Sequence, residues 1–205
     1  MQNSIVSLIE NRRSIGRYNP QKGMSEAEIR ELIRLASLSP SAFNMQNWKF
    51  IVVHTEEAKQ RLHRAAYFQP QILDAAATVI VCADTEGYRQ LAQRLQPAVD
   101  QGIVAAETAT GWANMAAGAH QDNAQLRRDE ALRSASLASM TLMLAAEGLG
   151  YASGAMSGFD AEALSQAFAL EAGELPVMLV ALGHAAEGNW SQKPRRPLQD
   201  ILEIV

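Results

Sequence analysis

Ser39-Pro40-Ser41-Ala42-Phe43-Asn44-Met45-Gln46-Asn47-Trp48 runs straight into Lys49-Phe50-Ile51-Val52-Val53-His54. The first half, with amides and hydroxyls gathered around a proline and a tryptophan, reads as a structured loop rather than a generic connector. The second half, β-branched and apolar, reads as a strand over residues 49–54. Two further runs, residues 78–83 and 176–183, have the same character. All three are continuously apolar instead of alternating, the pattern of strands buried on both faces, so helices are expected on both sides of the sheet.

Helical patterns surround these strands. Ile5, Leu8 and Ile9 make the apolar face of a short first helix that ends near Arg12-Arg13-Ser14. Asn19-Pro20 and Gly23 then mark a turn, which leaves residues 12–17 in a loop or extended segment. Ser25 followed by Glu28 is a capping box, with Ile29, Leu32, Ile33 and Ala36 at helical spacing behind it, and this second helix stops before Pro40. A charged helix is predicted over 56–66. The strongest helical pattern covers 129–147, where Leu132, Ala135, Ser136, Ser139, Met140, Met143 and Leu144 share a face and Gly148 and Gly150 end it. Residues 151–158 read as a connecting stretch, and Asp160 can cap a helix over 161–168. Between 89 and 129 the periodicity weakens at Pro97, Gly102, Gly111 and Gly118. That region is expected to be a mobile excursion or two broken helices. It is a candidate active-site lid with Trp112 as its notable residue; a hairpin that packs only on a neighbouring subunit fits the composition equally. No repeat or linker divides the chain, so one domain over 1–205 is expected.

Size and charge narrow the partner. A chain of 205 residues, 48% hydrophobic and 20% charged with a net charge of −4, can bury a sizeable core and lacks the broad basic face of a nucleic-acid binder. The single cysteine, Cys82, lies in the second apolar run and reads as a buried small hydrophobe. His54, His63, His120 and His184 show no ligand spacing, and no metal is expected. Met1-Gln2-Asn3-Ser4 opens without a basic leader and an apolar stretch behind it, which points to the cytoplasm. The window 135–150 is too short and too polar to cross a bilayer.

Against this acidic balance, Arg12, Arg13 and Arg17 lie near one end and Lys193, Arg195 and Arg196 near the other. If the two ends meet, guanidinium forks from each can hold a phosphate, and a phosphorylated cofactor is the first candidate ligand.

Taken in order, these features resemble the FMN-dependent nitroreductase family over nearly the whole chain. The resemblance rests on Arg-Arg-Ser after a short first helix, Pro-Ser-x-x-Asn-x-Gln-x-Trp before the first strand and Gly-Leu-Gly at a helix end. It continues through Gly-Phe-Asp and Ala-Leu-Gly to Lys-x-Arg-Arg-Pro. It implies an α+β fold with a mixed central sheet flanked by helices, and an interlocked homodimer with FMN between the subunits. By position, Arg12, Arg13 and Ser14, with Arg17, would line the phosphate and ribityl side of FMN, and Lys193 and Arg195 would close on the phosphate. Pro40, Ser41, Ala42 and Asn44 match a loop that reaches the flavin from the second subunit, with Gln46 behind it. Gln71, with Gln69 beside it, lies where the family places an amide on the pyrimidine edge. Met156, Ser157 and Gly158 match the stretch whose backbone N–H groups face the isoalloxazine. Phe43 and Trp112 are the implied substrate-side residues. The chain departs from several family members in having Ser157 where a glutamate often lies and Gly16 where a basic residue often follows Arg-Arg-Ser.

The resemblance further implies a ping-pong oxidoreductase in which NADH or NADPH reduces FMN and a nitroaromatic, quinone or similar electron-poor acceptor then reoxidises it. No side chain is required as an obligatory acid or base, because the flavin carries the redox chemistry. A specialised FMN enzyme on the same fold, dehalogenase-like or flavin-modifying, and a non-catalytic flavin-binding protein are the alternatives.

Overall fold

The computed structural model describes residues 4–205; residues 1–3, the start of the stretch read as lacking a leader, lie outside the described residues. Strands β1 (Trp48–Val53), β2 (Ala77–Asp84), β3 (Ala152–Met156) and β4 (Glu174–Gly183) form one sheet in the order β1-β2-β4-β3. Every pairing between these strands is antiparallel. The parallel component of the expected mixed sheet is confined, among the described residues, to a single bridge between Ser14 and Ser153.

The central strand β2 explains why its sequence is apolar throughout. Side chains alternate across a sheet, so Val79 and Val81 enter one layer while Ile80 and Cys82 enter the other. The first layer packs under α2 (Glu26–Ala36) and the long helix α7 (Ala124–Gly148), with Leu32, Ala135 and Leu142 buried against the sheet. The second packs under α3 (Glu56–Ala65) and α8 (Ala161–Ala167), with Leu62 and Leu164. Burial on both faces therefore holds for β2. It does not hold for β1, whose residues 48–52 are only half-buried because that strand is the sheet edge.

Helix α7 is 25 residues long, about 37 Å at 1.5 Å per residue. It begins five residues earlier than its apolar pattern suggests, because the Asn123 side-chain oxygen accepts from the Leu126 N–H at 2.9 Å and starts the helix in a polar stretch. Ala131, Ala135, Ala138 and Ser139 are buried along it, and such small side chains let neighbouring elements approach closely. No helix among the described residues is long and apolar enough to cross a membrane.

Of the forms expected for residues 89–129, two helices are present and a mobile excursion is not: α5 (Leu91–Asp100), with Pro97 inside it, and α6 (Ala106–His120), with Gly111 and Gly118 inside it, make a helical hairpin. The hairpin has its own small core of Leu91, Leu95, Ala109 and Ala116 around Met45 and Tyr88, so it packs on this chain's loop before β1 and not solely on a neighbour. The stretch after α7 contains a strand, β3, whose sequence Ala-Ser-Gly-Ala-Met carries little strand propensity.

The capping box of α2 forms as read, and its carboxylate does a second job. Glu28 accepts from the Ser25 N–H at 2.7 Å and also from the Tyr151 hydroxyl, tying α2 to the chain just before β3. Hydrogen bonds from Tyr151 and then Ser25 hold the Glu28 carboxyl down at about 2, and the same contact pushes the Tyr151 phenol up to about 12.

Candidate functional site

From the end of α1 (Ile5–Asn11) the chain runs extended along β3. The Ile15 N–H donates to Ser153 O at 2.9 Å, completing the parallel bridge at Ser14. This approach requires Gly154: a Cβ there would sit 2.1 Å from Ile15 O and 3.0 Å from the Tyr18 hydroxyl. The Tyr18 hydroxyl lies 3.0 Å from Ala181 O and 3.2 Å from Ile15 O, anchoring the segment to β4, and burial raises its pKa well above the ordinary phenol value.

The far end of the chain closes over the same segment. Asn189 Oδ1 accepts from the Gly16 and Arg17 N–H groups at 2.9 and 3.0 Å, while its Nδ2 donates to Arg17 O at 2.8 Å and Ala186 O at 2.9 Å. Arg13 Nη1 donates to Trp190 O at 3.1 Å. Gly188, with φ of +82°, leaves room for the Arg17 guanidinium, since a Cβ would lie 2.8 Å from its Nη1. The two basic clusters, more than 170 residues apart, do meet.

Between them lies a cavity of about 480 Å³, within the size range of small-molecule sites. Arg13, Arg17, Lys193 and Arg195 line it, and none of them forms an ion pair among the described residues. Lys193 Nζ stands 4.5 Å above the Trp190 ring, and Arg195 Nη1 donates to Lys193 O at 2.6 Å. Four uncompensated cations around one concavity make a receptor for a multiply charged anion. Opposite them the lining is less charged: Ser14, Gln71, Ala155 and Met156. Gln71 Nε2 is 3.0 Å from both Met156 Sδ and Gln69 Oε1, and Gln69 Nε2 donates to Gly158 O at 2.6 Å, so these residues form one wall. Exposed Ser157 continues that wall beyond the end of β3.

Other expected residues stand elsewhere. Arg12, half-buried at the end of α1, does not line the cavity. Pro40, Ser41, Ala42, Phe43, Asn44 and Gln46 precede β1, at the sheet edge opposite β3, and contribute nothing to this cavity within the chain. Their loop is built with care nonetheless. Phe43, Asn44 and Gln46 have φ of 54°, 57° and 49°, a left-handed conformation that phenylalanine and glutamine rarely adopt. The Ser41 Oγ accepts from the Gln46 N–H at 2.8 Å, buried Met45 plugs into the hairpin core, and Phe43 faces Trp112 with ring centres 6.4 Å apart. Asn189, Trp190, Gly154 and Gly188 were not singled out from sequence; Gly-Asn-Trp just before the second basic cluster was the available signal.

The profile of the Nitroreductase family matches residues 9–184. The chain is 33% identical over 196 residues to YodC of Bacillus subtilis (strain 168), covering 96% of each chain. It is 29% identical to the oxygen-insensitive NAD(P)H nitroreductase of Salmonella typhimurium, covering 98% of this chain and 99% of that one. A protein of Exiguobacterium sibiricum 255-15, solved in complex with FMN, superposes with a TM-score of 0.92 at 30% identity, covering 98% and 97% of the two chains.

Proposed function

The chain belongs to the nitroreductase family, and we propose that, as an NAD(P)H-dependent FMN oxidoreductase, it reduces nitroaromatics, quinones or similar electron-poor acceptors by a ping-pong mechanism. The observation that carries this reading is the cavity where Arg13, Arg17, Lys193 and Arg195 stand without carboxylate partners among the described residues. These cations suit the dianionic phosphate of FMN, and Ser14 suits its ribityl hydroxyls. Gln71 and Gln69 suit the pyrimidine edge, and the backbone N–H groups of Met156, Ser157 and Gly158 suit the ring nitrogen that gains charge on reduction. Bound FMN would supply the redox chemistry, taking a hydride from NADH or NADPH and passing two electrons to the acceptor. The residues of this chain bind and orient it, and the half-buried Phe43–Trp112 pair, its ring planes inclined at 57°, offers an apolar aromatic corner for acceptors.

A homodimer is part of the proposal. Ile5, Val6 and Ile9 on α1, Leu137 and Met140 on α7, and the tail residues Ile201, Leu202, Ile204 and Val205 are exposed apolar side chains that an interface between two copies would bury. An interlocked pair would cover them. It would also bring the loop of Pro40, Ser41, Ala42, Asn44 and Gln46 to the cavity of the partner subunit, whereas within one chain that loop lies at the opposite sheet edge from the cavity and does not line it. A cytoplasmic location belongs to the same reading.

The test is the visible spectrum of the purified protein after reconstitution with FMN, followed by anaerobic NADH or NADPH and then a nitroaromatic or quinone. Flavin bands that bleach and recover support the cycle; bound flavin that never bleaches supports a binding protein instead. The double variant Arg13→Ala/Arg195→Ala should fold and lose FMN, and full retention would overturn the phosphate assignment.

A further inference from the structure

We propose that Arg94, on the helical hairpin, is a positioning residue that sets the geometry of the flavin-facing loop 40–47; the inference rests on the FMN reading above. Its Nη1 donates to Met45 O at 2.6 Å and lies 3.4 Å from Gln46 O, while Nη2 donates to Asp84 Oδ2 at 3.0 Å and to Gln90 Oε1 at 2.9 Å. One planar guanidinium thus joins the loop, the end of β2 and α5, a geometry that an ammonium on a flexible stem cannot reproduce.

Three independent features converge on this contact. The carbonyls it holds belong to the segment where Phe43, Asn44 and Gln46 are left-handed, a conformation that persists only where the surroundings over-determine it. Gly87 is placed to admit it: a Cβ there would meet Asn47 Cβ at 2.7 Å, Arg94 Nη1 at 2.8 Å and Asp84 Oδ2 at 3.0 Å. The pair is sheltered, with the Arg94 and Asp84 side chains 22% and 21% exposed, so it is less screened than the surface pairs on α2. The clamp also has a counterpart: Trp112 of the same hairpin packs against Phe43 of the same loop. The hairpin thus grips the loop through the Arg94 guanidinium, through the Phe43–Trp112 contact and through buried Met45, and Ser41, Asn44 and Gln46 belong to the segment so gripped. Arg94 itself does not line the cationic cavity and acts only through the loop.

The consequence is that flavin binding depends on a residue remote from the phosphate cations. Arg94→Ala and Arg94→Lys, made in the full chain, are compared with the parent protein by FMN fluorescence titration, by the visible circular dichroism of bound flavin, and by thermal unfolding of the FMN-free protein. In Arg94→Ala, FMN affinity falls at least 10-fold and the flavin dichroism changes shape. In Arg94→Lys, the charge opposite Asp84 survives and the unfolding temperature returns to within about a degree of the parent, while FMN affinity stays several-fold reduced. That separation of stability from flavin binding is the signature of positioning. Arg94→Ala with parental affinity and dichroism, or Arg94→Lys restoring stability and flavin binding together, would overturn the proposal while leaving the FMN reading intact. Should Arg94→Ala fail to fold, Arg94→Lys decides alone. A parent protein that takes up no FMN sinks both readings.

Discussion

Replacing Gly154 by alanine tests whether the cavity's geometry is set by the approach of residues 13–17 to β3. The new Cβ would lie 2.1 Å from Ile15 O, and a real contact needs at least 3.0 Å, so the two backbones must part by about 1 Å. That displacement breaks the 2.9 Å hydrogen bond from Ile15 N to Ser153 O and pulls Ile15 O from the Tyr18 hydroxyl. The Tyr18 hydroxyl keeps Ala181 O, so one hydrogen bond is lost outright, about 1 kcal/mol, and with about 1–2 kcal/mol for overpacking the loss of stability is about 2–3 kcal/mol. With a urea slope of about 2 kcal/mol/M, the unfolding midpoint of the FMN-free protein falls by about 1 M. The same shift carries Arg13, Ser14 and Arg17 away from the ligand. Losing one charge-assisted hydrogen bond, about 1.5–3 kcal/mol, weakens FMN binding about 10- to 100-fold. Gly23→Ala, where an added Cβ meets nothing within 4 Å, is the control and should change neither quantity. A Gly154→Ala protein with the parent's midpoint and FMN affinity would refute the reasoning.

Three further outcomes are expected. The Glu28 carboxyl is held at about 2 against an ordinary value of 4.5, so its contribution to stability is complete above pH 4.5 and is lost as pH falls toward 2; thermal unfolding of Glu28→Gln should be flatter than the parent's across that window. Burial pushes the Cys82 thiol up to about 12, so a disulfide thiol reagent at pH 8 should titrate no thiol in the native protein and one in guanidinium chloride; rapid native reaction would contradict the packing of β2. Deleting residues 198–205 removes five exposed apolar side chains, each worth about 1.5–3 kcal/mol when buried, and light scattering should show a dimer that dissociates at concentrations where the parent's does not. An unchanged dimer would exclude the tail from the interface.

Much of this architecture was readable from residues because local and global signals agree. The strands β1, β2 and β4 are apolar and β-branched, the Ser25–Glu28 capping box forms as written, and Asp160 caps α8 through its own side chain. The strand β3 was illegible because its role comes from a partner: Ala-Ser-Gly-Ala-Met is a strand only because β4 pairs with it and because a glycine admits Ile15. The hairpin was legible only as one of several alternatives, since glycines within α6 weaken a periodic pattern without ending the helix. At the site, charge announced the cations but not what holds them. Asn189 and Arg94 each satisfy several backbone groups distant in sequence, which no spacing along the chain reveals. Arg12, adjacent to Arg13 in sequence, is turned from the cavity because the chain leaves α1 between them.

The Asn189 clasp has a consequence for the order in which the protein is made. A chain emerging from the ribosome acquires all four strands once residue 183 is out, and its sheet and both helical layers can then pack. The anion receptor does not yet exist, because Asn189, Lys193 and Arg195 are still to come. A phosphorylated ligand can therefore recognise only chains synthesised past this point, and its binding energy adds selectively to their stability. A chain that stops before Asn189 gains none of that stabilisation, whatever the packing of its sheet.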